Sequence, residues 1–107
     1  MDTNTKINLP VVSILMLTYN RCHFIHEAVL SVINQNYIHW ELIIIDDGST
    51  DNTENLINEF NNSRIKYIKH TENLGLFARR KESLSYARGK YTAILDSDDY
   101  WTDPNKL

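Results

Sequence analysis

The stretch Leu42-Ile-Ile-Ile-Asp-Asp-Gly-Ser-Thr-Asp51 decides the fold. Leu42 to Ile45 is an unbroken apolar run with no polar alternation, the mark of a strand covered on both faces and hence of a central, parallel position. Asp46 to Thr50 are turn residues. Asp51 then stands where a helix begins. Its carboxylate can cap, and Glu54 three residues on completes a capping box. Thr53, Leu56, Ile57 and Phe60 give that helix its inner stripe.

Reading outward, the same unit repeats on both sides. Upstream, Val11 to Leu17 is a second apolar run, with Ser13 its one polar residue, bounded by Pro10 and by Asn20 of the polar loop Thr18–Arg21. Ile25, Ala28, Val29, Val32 and Ile33 follow at helical spacing. Downstream, Asn61–Ser63 is a turn, and Arg64 to Lys69 alternates enough to be an edge strand. After the loop 70–75, a third helix is expected over Leu76–Arg88, with Gly89 as its stop. Tyr91 to Asp96 is the fourth strand. Residues 1–9 are polar and read as a flexible arm ahead of a single domain over 10–107.

Strand–helix alternation of this kind implies a parallel sheet with right-handed crossovers and helices on its faces. The two most apolar strands belong inside, which predicts the order 3-2-1-4 with strands 1 and 4 adjacent. Ligands of such sheets sit outside the carboxyl ends of the strands. The polar clusters fall there: 18–21, 46–50, 73–75 and 96–99.

The last cluster carries the chemistry. Asp96, Asp98 and Asp99 lie within four residues after a buried strand, with small Ser97 between the first two. Alternate carboxylates can then point the same way, one toward a divalent cation and one toward a hydroxyl. A solvated acidic turn would match the same short pattern. It is the convergence of four polar loops on one rim that favours a site. Arg80 is placed by helical spacing with Leu84 and Ala87, toward the core side near that rim. A cation there needs an anion, either the aspartates or a bound diphosphate, unless its side chain snorkels to solvent.

Composition removes other classes. A net charge of −3 gives nucleic acid no electrostatic attraction. The opening segment lacks the apolar core of a signal peptide, and no apolar run reaches the ~20 residues of a membrane span. The one cysteine, Cys22, leaves no internal disulfide and suits a reducing compartment. An EF-hand starting at Asp96 would put Trp101 where glycine is needed and Leu107 where glutamate is needed. The four histidines are scattered, which argues against zinc. The loop after the first strand has no G-x-G-x-x-G turn. A phosphorelay receiver would carry its acidic pair after strand 1, not strand 2.

The series Val12 to Arg21, Trp40 to Asp51, Asn73-Leu-Gly75 with Ala78-Arg-Arg80, and Gly89 to Asp99 resembles the amino-terminal half of the family 2 glycosyltransferases. That resemblance covers residues 11–107 and implies a GT-A fold and a nucleotide-diphosphate sugar, UDP by preference, as donor. It implies that Tyr19 packs on the nucleobase beside the backbone of Leu17 and Thr18. Asp47 would accept a hydrogen bond from the base, and Asp46 would organise the loop. Arg80 would lie near the base or phosphates, Asp96 at the ribose, and Asp98 on Mn²⁺ or Mg²⁺, with Asp99 behind it. The chain departs from the family pattern at Lys81 and Ser83, which blurs the roles of Arg79 and Arg80. The resemblance implies inverting transfer to an acceptor hydroxyl on a saccharide or lipid-linked saccharide, at the cytoplasmic side of a membrane. It also places the catalytic base in a later segment, so these residues are expected to be inactive alone and to self-associate through the face left open. The rival expectation is a non-catalytic nucleotide- or partner-binding module that keeps the fold.

Overall fold

A computed structural model describes residues 10–107, so the expected arm 1–9 lies outside the described residues. Seven elements alternate: β1 (Val12–Thr18), α1 (Ile25–Ile33), β2 (Trp40–Asp46), α2 (Thr53–Asn58), β3 (Ile65–Lys69), α3 (Leu76–Tyr86) and β4 (Tyr91–Ile94). The four strands form one parallel sheet in the order β3-β2-β1-β4, as the apolar runs predict.

Successive side chains of a strand face opposite ways, and β1 and β2 divide their apolar residues accordingly. Ile14, Met16, Leu42 and Ile44 meet Ile25, Ala28, Val29 and Val32 of α1 and Ile57 of α2. Leu15, Leu17, Ile43 and Ile45 face the other way, against Ile68, Tyr86 and Ala87. Helices α1 and α2 thus cover one face and α3 the other. The chain steps from β1 to β2 to β3 on one side, then returns past β1 to β4. The switch point between β1 and β4 is where such sheets open a crevice.

Register brings the strand ends to one rim, with Thr18 opposite Asp46 and Asp46 opposite Lys69. The opposite rim is closed by a buried carboxylate. Glu41 is 4% exposed and accepts hydrogen bonds from Ser13 Oγ at 2.6 Å, Arg88 N at 2.7 Å and Arg88 Nε at 3.0 Å. Burial raises its pKa, but these bonds and the guanidinium together hold it below the ordinary value.

Three local expectations are corrected. Helix α3 ends at Tyr86, not Arg88, because the Arg88 amide turns to Glu41. Gly89 is therefore no helix stop. It is small because a Cβ there would lie 2.8 Å from Ser13 N and Val11 O. The capping box at α2 does not form. Asp51 instead bonds the Thr53 amide at 3.1 Å, the Thr53 hydroxyl at 2.5 Å and the Cys22 amide at 3.1 Å, while Glu54 reaches Lys69 at 3.0 Å. A carboxylate that ties two loops displaces the local cap. Among the described residues, no helix is long and apolar enough to cross a membrane.

Candidate functional site

A cavity of about 400 Å³ opens at the switch point, lined by the loops after β1, β2 and β4 and by the start of α3. Of the residues singled out in the sequence, Leu17, Tyr19, Asp47, Arg80, Asp96 and Asp98 line it. Thr18 does not. It is 1% exposed and lies beneath, its carbonyl accepting a hydrogen bond from Asp47 N at 2.9 Å. Asp99 stands behind the turn, its amide bonded to Asp96 O at 3.0 Å and its carboxylate to Tyr100 N at 2.8 Å.

The loop after β2 is rigid for a visible reason. Asp46 is fully buried and accepts from Ser49 N at 2.8 Å and from the Tyr67 hydroxyl. Burial and the Asp46 carboxylate push the Tyr67 hydroxyl up, so it remains a donor at any working pH. Gly48 takes φ +92°, a conformation other residues resist, and a Cβ there would lie 3.2 Å from the Glu72 backbone.

Asp47 joins this loop to α3. It is 2% exposed and accepts from Leu74 N at 2.8 Å, Gly75 N at 2.9 Å and Arg79 Nε at 2.7 Å. Burial alone would raise its pKa, but the Leu74 and Gly75 amides and Arg79 outweigh it and keep the group ionised. An ionised carboxylate offers about four accepting positions. Three are filled here, and Asp47 also lines the cavity.

The expectation that Arg80 faces the core is corrected. The buried face of α3 is set by Arg79, at 5% exposure, and Ser83, at 0%, while Leu84 is exposed. The helix is turned by one residue because the buried Asp47 needs a cation, and Arg79 supplies it while also donating to Glu72 O at 2.8 Å and Glu82 at 3.3 Å. This division of labour between the two arginines is invisible in the helical period, since Leu84 marks the wrong face.

Arg80 is left at the cavity wall. Its Nη1 is buried without a hydrogen-bond partner among the described residues, and its Nη2 lies 4.0 Å from Asp96 Oδ1. Arg21, which sequence reasoning placed in the polar loop without a role, lines the same cavity, with Nε 4.0 Å from Asp98 Oδ2. Sequence reasoning also gave no role to Leu76 or Ser97 in the lining. A basic residue directly after Tyr19-Asn20 was the available signal for Arg21.

The acidic turn is open. The side chains of Asp96 and Asp98 are 70% and 54% exposed, and among the described residues neither has a cation closer than 4.0 Å. Among the described residues no three His, Cys, Asp or Glu side chains converge as a metal cage. Taken together, the site offers an aromatic ring, an ionised acceptor, two guanidiniums and two solvated carboxylates around one cavity.

The glycosyl transferase family 2 model matches residues 13–107. Over 97 residues the chain is 44% identical to UDP-Glc:alpha-D-GlcNAc-diphosphoundecaprenol beta-1,3-glucosyltransferase WfgD of Escherichia coli, covering 91% of this chain and 38% of that one. S. aureus TarS 1–349 in complex with UDP-GlcNAc superposes with a TM-score of 0.80 at 30% identity, over 84% of this chain and 27% of that one. The mannosyltransferase PcManGT of Pyrobaculum calidifontis, solved with GDP-Man and Mn²⁺, shares the fold with a TM-score of 0.81 at 24% identity, over 90% of this chain and 30% of that one. The chain thus spans well under half the length of these relatives. With its GT-A sheet order and this match along nearly all of its length, the chain belongs to glycosyl transferase family 2.

Proposed function

We propose that the cavity binds the nucleoside diphosphate of a UDP-sugar and presents the sugar for transfer to an acceptor hydroxyl. The observation that carries this is that Arg80, whose Nη1 is buried without a hydrogen-bond partner among the described residues, lines one cavity with Arg21, Tyr19 and the ionised Asp47. The guanidiniums suit phosphate oxygens. Tyr19 stacks on the base, and the Asp47 carboxylate takes its N–H, which uracil has at N3. The order β2-β1-β4 separates Asp47 from the acidic turn by about 10 Å at the strand roots, enough to lay a nucleotide across the rim. WfgD and TarS, by their names, use or bind UDP-sugars.

A divalent ion fits this donor set. Mg²⁺ and ions like it are held by one or two carboxylates together with substrate phosphates, not by closed protein cages, and Asp98 is exposed and weakly paired. Asp98 would hold the Mn²⁺ or Mg²⁺ ion, while Asp96 addresses the ribose. A bound ion would supply countercharge for the departing diphosphate. In the inverting transfer, the bond from the anomeric carbon to the diphosphate oxygen breaks as the acceptor oxygen attacks from the opposite face. The acceptor's proton passes to a carboxylate base that is none of the residues assigned above. The acceptor class is a saccharide or lipid-linked saccharide, reached from the cytoplasmic side.

Titration of UDP with and without Mn²⁺ tests the reading. UDP is expected to bind more tightly with Mn²⁺, and Asp98→Ala to lose that gain, roughly ten- to hundredfold in affinity, while keeping the metal-free affinity. An Asp98→Ala protein whose Mn²⁺ response equals the parent's would overturn the assignment.

A further inference from the structure

The acidic turn makes little of its own shape. Between Leu95 and Trp101 its one backbone hydrogen bond is Asp99 N to Asp96 O at 3.0 Å, and no residue in it takes a positive φ. What limits it are its two ends. Leu95 is 3% exposed, and its amide bonds Leu15 O at 3.2 Å. Trp101 and Leu107 pack on the large core cluster. Without the second anchor, a chain gaining ~3.3–3.6 Å per residue could carry Asp98 far from the cavity.

The second anchor is a clamp at the end of α1. Gln35, 6% exposed, uses both ends of its amide on the segment after the turn. Its Nε2 donates to Asp103 O at 2.7 Å, and its Oε1 accepts from Leu107 N at 3.0 Å. Asn36 adds two bonds, N to Pro104 O at 2.8 Å and Nδ2 to Asn105 Oδ1 at 2.9 Å. A buried side chain that must both donate and accept across the closing ends of one segment calls for an amide. Glutamate lacks the donor, and leucine lacks both.

We propose that Gln35 is a positioning residue for the metal-holding turn: by fastening residues 103–107 to α1 it keeps the Asp98 carboxylate where a diphosphate-bound ion can reach it. The inference rests on the donor-site reading above. It differs from a purely structural role because Gln35 lies outside the cavity, so the clamp acts on the metal-dependent part of nucleotide binding and not on the base subsite.

The test compares the parent, Gln35→Leu and Asn36→Ala by UDP titration with and without Mn²⁺, and by amide hydrogen exchange. Gln35→Leu should cut the Mn²⁺-dependent gain in UDP affinity about tenfold, leave the metal-free affinity within about twofold, and speed exchange at Leu107 without speeding it in β1 or β2. Asn36→Ala should act the same way, by about threefold, and it carries the test alone if Gln35→Leu does not fold. A full Mn²⁺ gain in the variant, or an equal loss with and without metal, overturns the proposal while the donor site stands. A parent whose UDP affinity ignores Mn²⁺ overturns the reading of the turn as a metal site, and the clamp's role with it.

Discussion

Two acidic turns lie on the same rim, one after β2 and one after β4, and they treat the same side chain in opposite ways. Asp46 and Asp47 are 0% and 2% exposed, and between them accept bonds from Ser49, Tyr67, Leu74, Gly75 and Arg79. Asp96 and Asp98 are more than half exposed, with guanidiniums no nearer than 4.0 Å. The first pair spends its charge on holding loops together. The second keeps its charge exchangeable, so a ligand can replace water and a loose cation at little cost. Sequence alone makes the two turns look alike; burial separates them.

The comparison can be broken most severely at Asp47. Asp47→Ala leaves the buried Arg79 without its closest anion, and removing one partner of a buried pair costs about 3 kcal/mol or more. Urea unfolding should show that loss, and a variant as stable as its parent would make Asp47 no more structural than Asp98.

Acid should expose the same division. Burial raises Asp51, but the bonds from Thr53 and Cys22 outweigh it and bring its pKa from 3.8 down to about 2. A group depressed in the folded state stabilises above its unfolded pKa and loses that contribution as pH falls through the folded one. Stability to urea should therefore fall between about pH 4 and pH 2, with Asp47 and Glu41 contributing in the same sense. Asp51→Ala should flatten part of that slope. A slope unchanged in the variant would remove Asp51 from the account.

The smallest expected effect is at the open turn. Asp98→Ala should change unfolding stability by no more than about 0.5 kcal/mol, because its carboxylate is solvated and its ion pair long. A larger loss would mean the turn is architectural after all.

The sheet was legible in the chain because its signal is redundant. Two apolar runs, Val11–Leu17 with Ser13 its one polar residue and the unbroken Leu42–Ile45, belong at the centre, and the order follows from them. The cavity was legible for a similar reason, since topology carries every strand end to one rim. What the residues did not show was decided by contacts distant in sequence. Arg79 rather than Arg80 faces inward because Asp47, 32 positions earlier, is buried beside it. Gly89 is small because of Ser13 and Val11, and Asp51 divides its carboxylate between Thr53 at the start of its helix and Cys22, 29 positions earlier. Gln35 could not be read at all. A polar residue just past a helix end looks like a solvated cap until the segment 103–107 arrives to use both ends of its amide.

The same anchoring gives the protein an optical gauge. Of its two tryptophans, Trp40 is 2% exposed beneath the Arg64 guanidinium, 3.9 Å from the ring centroid. Trp101 is only part-buried, resting on the core directly past the acidic turn. In a Trp40→Phe background all indole emission comes from Trp101, so its colour and quenching follow the solvation of the chain a few residues from Asp98. A change at the turn can then be watched by light, with no label added.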